Sequence, residues 1–230
     1  MIGFLDSGIG GVYVLKQCLK TCPNNHFVYL ADNKNLPFGN KSKTTLQKIA
    51  MQDCEKLISC GCNIIVFACN TLTATAINKC RKNFPQIFFI GIEPAIMPAL
   101  KTGEKILVLL TNATYKFSRL IVKNKKNKNL IFAPQKTLAE DIEKGRIISM
   151  QNYIKKEKVE GVVLGCTHYN LVKSQISSFL KTTNFFEASE GVAKRLSKFA
   201  PNNESQRIDF LFTAKDETKK YLKILKEKKA

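Results

Sequence analysis

The chain of 230 residues contains no tryptophan and only two histidines, and no apolar run approaches the ~20 residues that a bilayer-spanning helix needs. The scarcity of histidine argues against a zinc site, because neither close cysteine pair, Cys18/Cys22 or Cys60/Cys62, is followed by a Cys or His pair at matching spacing. The first residues, MIGFLDSG, lack the basic segment of a signal peptide. These absences predict a globular, cytoplasmic protein with reduced thiols and no metal.

Acidic side chains are also scarce, since 18 of them face 37 lysines and arginines and leave a net charge of +19. The densest basic runs, at 123–128 and 219–229, are mostly lysine and are not interleaved with aromatic residues as in nucleic-acid-binding motifs. We therefore interpret the excess as a solvated, lysine-rich surface and expect no nucleic-acid partner. Such a surface would still attract a carboxylate substrate.

Two segments of the chain share one pattern. Residues 64–71 read IIVFACNT and residues 162–168 read VVLGCTH. An apolar run of this length, rich in β-branched residues, is typical of a strand buried on both faces of a parallel sheet. Because ligands bind beyond the carboxyl ends of such strands, Cys69 and Cys166 are placed where chemistry usually occurs.

Paired thiols in matched settings predict acid–base catalysis. A thiol exchanges its proton near neutral pH when its surroundings adjust its pKa. Two thiols on opposite faces of one carbon atom would remove a proton from one side and return it on the other, which is racemisation by two bases. Buried structural cysteines are the alternative, and we assign the remaining six to that class: Cys18, Cys22, Cys54, Cys60, Cys62 and Cys80.

Strands and helices alternate in two similar rounds along the chain. The first begins with a strand at residues 2–5 and a glycine-rich turn, and the second begins again near residue 105. This order predicts an α/β fold of two domains with parallel sheets, residues 1–94 plus 208–230 and residues 95–207, with the active site in the cleft between them. Single helices are expected at 115–122 and 147–158.

Several motifs together resemble the glutamate racemases of the cofactor-independent aspartate/glutamate racemase superfamily, and the likeness covers nearly the whole chain. In order they are FLDSGIGG at 4–11, YLAD at 29–32, LPFGNKS at 36–42, ACNT at 68–71, IEP at 92–94 and GCTHY at 165–169. The resemblance implies two pseudo-symmetric flavodoxin-like domains, no cofactor and no metal. It also implies glutamate as the partner, interconversion of its L and D forms for peptidoglycan synthesis, and it allows a homodimer.

The resemblance also implies roles for individual residues. Cys69 and Cys166 would be the two bases, with Asp6 assisting Cys69 and His168 assisting Cys166. Phe38 stands where the family usually has tyrosine, so a hydroxyl contact is missing. The residues implied to contact the substrate are Asp6, Ser7, Phe38, Gly39, Asn70, Thr71, Thr167 and His168.

One further catalytic carboxylate of the family is not fixed by the sequence, because residues 133–145 match the corresponding segment poorly. Alignment on Pro134 selects Asp141, alignment on Gly145 selects Glu143, and Glu140 stays open. We prefer Glu143, whose alternative is an exposed carboxylate on a helix.

The second cysteine motif favours glutamate as substrate, because aspartate racemases tend to carry Cys-Thr-Glu where this chain has Cys166-Thr167-His168. Two alternatives stay open. One is a racemase of the same superfamily acting on aspartate or another small acid. The other is a basic binding protein on a decayed racemase scaffold, against which the intact set of Asp6, both cysteines and His168 argues.

Overall fold

Two parallel sheets form the frame of the computed structural model, which describes residues 1–201 and 205–227. The five-stranded first sheet has the order β4-β3-β1-β2-β9, and the four-stranded second sheet has the order β6-β5-β7-β8. The strands are β1 (Ile2–Asp6), β2 (His26–Ala31), β3 (Ile64–Phe67), β4 (Phe88–Gly91), β5 (Ile106–Thr111), β6 (Leu130–Gln135), β7 (Gly161–Gly165), β8 (Phe185–Phe186) and β9 (Arg207–Phe212).

The two sheets repeat one topology. Read from its β8 edge, the second sheet runs β8-β7-β5-β6, which matches β4-β3-β1-β2 strand for strand. In each half the second strand lies outside the first, which is the flavodoxin-like order. The predicted α/β class with two pseudo-symmetric parallel sheets is therefore confirmed, whereas the domain boundaries stay a prediction. The first sheet alone gains a late strand, β9, which pairs with β2.

Helices cover the sheets because the central strands are apolar on both faces. Every residue of β1, β3, β5 and β7 is buried, as expected for strands packed between helical layers. The α-helices of the described residues are α1 (Val12–Thr21), α2 (Lys43–Ser59), α3 (Asn70–Asn83), α4 (Ile96–Leu100), α5 (Asn112–Phe117), α6 (Arg119–Asn124), α7 (Leu138–Glu143), α8 (Lys173–Leu180), α9 (Ser189–Leu196) and α10 (Thr218–Lys226).

The last helix is anchored on the first sheet by aromatic packing. Tyr221 of α10 is fully buried, and its ring lies 5.7 Å from that of Tyr29 on β2 and 5.8 Å from that of Phe210 on β9. Edge-to-face contacts of this kind stabilise beyond the apolar area they bury. The basic run at 219–229 therefore begins on a helix with one fixed face, although residues 228–230 lie outside the described part of the chain.

The helix predicted at 147–158 is wrong. A short 3₁₀ turn at Met150–Asn152 is flanked by irregular chain. The backbone oxygen of Tyr153 accepts a hydrogen bond from the Gln135 side chain at 2.8 Å, and Ile147 is 99% exposed while Ile154 is buried. Contacts with β6 thus replace the helical hydrogen bonds that local propensity favours.

The helix predicted at 115–122 is two short helices, α5 and α6, which meet at Ser118. The Ser118 side chain accepts a hydrogen bond from the backbone N–H of Ile121 at 3.3 Å and starts a new helix. Serine competes with helical backbone bonds in this way and is favoured at such starts. Within the described residues, no helix is long and apolar enough to cross a membrane.

Candidate active site

The two cysteines lie at equivalent ends of equivalent strands. Cys69 follows β3 and caps α3, and Cys166 follows β7 and precedes a 3₁₀ turn at Thr167–Val172. Each residue is only 7% exposed. The two thiols are close enough to interact electrostatically, since a charge on Cys166 raises the pKa of Cys69.

The environment of Cys69 favours the protonated thiol. Burial raises the pKa of Cys69 well above its usual value, and the nearby Asp6 carboxylate raises it further. The backbone N–H groups of Leu72 and Thr71, at the start of α3, lower the pKa and offset part of that rise. Cys69 therefore carries its proton in the closed site.

Asp6 joins the two halves of the molecule. It ends β1 and is fully buried, and its carboxylate accepts hydrogen bonds from Gly8 N at 3.0 Å and Thr167 Oγ1 at 3.3 Å. Burial raises the pKa of Asp6 to about 6, although the charge of His168 lowers it. Asp6 was expected to assist Cys69, whose pKa its charge raises, and it also bonds Thr167, the residue after Cys166.

His168 connects Cys166 to Glu143. Its Nδ1 lies 3.9 Å from Cys166 Sγ, and its Nε2 lies 2.7 Å from Glu143 Oε2. Burial lowers the pKa of His168, but the hydrogen bonds with Cys166 and Glu143 outweigh that effect and raise the pKa well above 6.5. His168 therefore places a positive charge and a transferable proton beside the Cys166 sulfur.

Glu143 is the carboxylate that the fold brings to His168. Its Oε2 also accepts a hydrogen bond from Ile9 N at 2.9 Å. Burial raises the pKa of Glu143, but His168, Ile9 N and Lys220 lower it by more than burial raises it. The net pKa is below the usual value, so the carboxylate is ionised. The two other candidates face elsewhere: Asp141 pairs with Arg146 and Tyr153, and Glu140 pairs with Lys144.

Beside Cys69, the predicted substrate contact Thr71 is joined by two buried threonines, Thr111 and Thr114, that were not assigned from the sequence. The hydroxyl oxygens of Thr71 and Thr111 are 2.9 Å apart, and Thr111 Oγ1 donates to Thr114 Oγ1 at 2.9 Å. Thr111 ends β5 as Asp6 ends β1, so its place at a strand end was the available signal. These hydroxyls link the start of α3 to the second sheet.

The remaining predicted contacts line the same region. Neither amide atom of the Asn70 side chain has a hydrogen-bond partner among the described residues, although the residue is 3% exposed, and such a group calls for a ligand. Ser7 is buried after β1. Gly39 lies so close to the second half that a Cβ on it would be 3.0 Å from Thr111 Cβ. Phe38 packs into the apolar core of the first half.

Comparison with known proteins places this geometry in context. A model of the Asp/Glu/Hydantoin racemase family matches residues 10–184. The glutamate racemase of Clostridium acetobutylicum is 36% identical over 86% of this chain and 82% of its own length. That of Clostridium novyi is 33% identical over 98% of this chain and 95% of its own length. The solved glutamate racemase of Aquifex pyrophilus, 31% identical, superposes with a TM-score of 0.79 over 97% of this chain and 94% of its own. The glutamate racemase of Francisella tularensis, solved with D-glutamate, is 25% identical. It superposes with a TM-score of 0.80 over 99% of this chain and 94% of its own.

Proposed function

Because this chain belongs to the Asp/Glu/Hydantoin racemase family, we propose that it interconverts L- and D-glutamate with Cys69 and Cys166 as the two bases. The relatives that match it along most of its length at 33–36% identity are glutamate racemases, which supports glutamate as the substrate.

The observation that carries the proposal is the opposite surroundings of two thiols in one closed site. Cys69 lies near the buried Asp6 carboxylate, which favours the thiol, and Cys166 lies 3.9 Å from the ring of His168, which its hydrogen bonds keep protonated. A two-base racemase needs one free base and one protonated acid before each turnover. The Cys166 thiolate would take the α-proton from one face, and the Cys69 thiol would give a proton to the other.

The reverse direction requires the two roles to exchange. Cys69 must then lose its proton while Cys166 keeps one. Asp6, whose pKa of about 6 lies close to neutrality, is suited to take up the proton that Cys69 releases. His168, joined to Glu143, would give the proton that Cys166 needs.

The substrate would be held by the unpaired Asn70 side chain and by the donors around it. The Asn70 amide and the N-terminus of α3 are suited to a carboxylate, and the threonine hydroxyls supply further donors. Removal of the α-proton places negative charge next to the α-carboxylate. Fixed donors in a site without water stabilise that charge most in the transition state.

We also propose that the product D-glutamate serves peptidoglycan synthesis in the cytoplasm. All eight cysteines lie in the described residues and none of them forms a disulfide there, which supports a reducing compartment. A homodimer and the lack of a nucleic-acid partner stay predictions.

The test is to follow L-glutamate in deuterated water with no added cofactor, by α-proton exchange and by optical rotation. We expect exchange together with loss of rotation, and a loss of racemisation in both directions for Cys69→Ala and for Cys166→Ala. Cys60→Ala, a change outside the site, is the matched control and should keep full activity. Full turnover by either site variant would refute the two-base mechanism. Activity on L-aspartate alone would favour the small-acid alternative.

A further inference from the structure

Lys220 reaches the site from the last helix. Its Nζ lies 3.1 Å from the backbone oxygen of Glu143 and 3.3 Å from Glu143 Oε1. Glu217, the residue just before α10, holds the same ammonium group at 3.4 Å. Lys220 therefore contacts the residue that in turn contacts His168.

The two carboxylate oxygens of Glu143 have separate partners. Oε2 accepts from Ile9 N and from His168 Nε2, so it is fully used. Oε1 has Lys220 as its hydrogen-bond partner among the described residues. A carboxylate held at both oxygens has one orientation, whereas one held at Oε2 alone is free to rotate about its last bond.

Lys220 also completes the end of α7. Glu143 is the last residue of this helix, where backbone oxygens lack helical partners. A lysine ammonium at that point satisfies one of them and suits the negative end of the helix. One side chain thus fixes both the backbone and the carboxylate of Glu143.

The contact joins the two halves of the molecule. Helix α10 is anchored on the first sheet through Tyr221 and Ile224, whereas α7 packs against the second sheet through Leu138 and Ile142. Lys220 therefore bridges the cleft next to the catalytic histidine. Its neighbours Lys219 and Lys223 carry the same charge on the same helix, but their side chains form no described hydrogen bond or ion pair.

We propose that Lys220 is a positioning residue for the Cys166 half of the reaction: it fixes Glu143 against His168 across the cleft. This inference rests on the proposed racemase function. It gives the last helix a part in the reaction, which Lys220 exerts through its contacts with Glu143.

The experiment compares Lys220→Met, Lys220→Arg and the control Lys219→Met with the unchanged protein in the glutamate racemisation assay. We expect Lys220→Met to lower kcat about tenfold with KM changed less than about twofold, a small part of the ~10²–10⁴ that a positioned acid–base group contributes. Lys220→Arg, which keeps a cation and donors, should recover most of kcat. Lys219→Met should equal the unchanged protein.

The outcomes distinguish a failure of the proposed racemase function from a failure of the proposed role of Lys220. An unchanged protein that fails to racemise glutamate would overturn the proposed function. An active unchanged protein with a fully active, folded Lys220→Met would overturn the role of Lys220 alone. Loss of activity in Lys220→Met that follows a lowered melting temperature and is not recovered by Lys220→Arg would also overturn it, since that pattern indicates a structural role.

Discussion

At the scale of single residues, Asp6 lies in the candidate active site although burial of its charged carboxylate is unfavourable. Its carboxyl group is fully buried, and its pKa in the folded protein, about 6, lies above the ordinary value of 3.8. The folded state therefore binds this proton more tightly than the unfolded state. The free energy of unfolding falls as the pH rises from about 3.8 to about 6, and the loss is complete above that window.

We accordingly predict that Asp6→Asn stabilises the protein at about pH 7.5, by up to ~3 kcal/mol, and has little effect near pH 4. The same variant should racemise glutamate poorly. Chemical unfolding at both pH values measures the first effect and the optical assay the second. Asp53→Asn is the matched control, since burial raises the pKa of Asp53 to about 6 as well and this residue lies on α2, outside the site. Equal stability of Asp6→Asn and the unchanged protein at the higher pH would contradict the prediction.

The sequence reveals some site residues more readily than others. Cys69, Cys166 and His168 follow apolar strands, and a strand end is visible in the order of residues. Lys220 could not be found this way, because it lies among other lysines on α10 and its partner Glu143 is distant in the chain. The three acidic candidates near residue 141 were separated only by the fold, which turns Glu143 alone toward His168.

At the scale of elements, close contact between two 3₁₀ turns closes the site. The turn Ile9–Gly11 follows β1, and the turn that contains Thr167 and His168 follows β7. A Cβ on Gly10 would lie 2.6 Å from His168 N and from Thr167 Oγ1. The backbone can approach this closely only because Gly10 has no side chain.

Gly10→Ala should therefore force the turns apart and lower kcat by as much as ~10²-fold, because small misplacements of catalytic groups are that costly. Gly191→Ala is the control, since a Cβ at Gly191 meets no atom within 4 Å and alanine suits its helix α9. Racemisation rates and thermal unfolding of both variants provide the measurement. A Gly10→Ala variant with unchanged kcat would contradict the prediction, since it would show that the turns can move apart without loss of activity.

Regular elements were predictable where packing and propensity agree. The strand expected at residues 2–5 is Ile2–Asp6, and the second round, expected to begin near residue 105, begins with the strand Ile106–Thr111. The path of residues 147–158 was not predictable, because a hydrogen bond from Gln135 and the burial of Ile154 decide it. Those contacts come from other parts of the chain and leave no local pattern.

At the scale of the whole molecule, the two thiols proposed as bases are largely closed off from solvent. Cys69 and Cys166 are each 7% exposed, so we expect glutamate to enter when the cleft between the two halves opens. Seven of the cysteines are buried, and Cys60 alone is partly exposed. Thiol accessibility therefore reports on the opening of the cleft.

We predict that a thiol reagent modifies Cys60 first and the site cysteines slowly, and that saturating D-glutamate slows Cys69 and Cys166 further. Peptide mass spectrometry over time measures each site. Cys18 and Cys54, buried away from the cleft, should react at a rate that glutamate does not change. Modification of Cys69 as fast as Cys60 would mean that the cleft is open in solution.

The position of β9 has a consequence for synthesis of the chain. This strand pairs with β2, and no strand pairs with the far side of β2 until residues 207–212 have been made. The four strands of the second sheet, by contrast, lie within residues 106–186. On the ribosome, the half that begins first is therefore finished last, and it presents an unpaired strand edge to neighbouring chains while it waits.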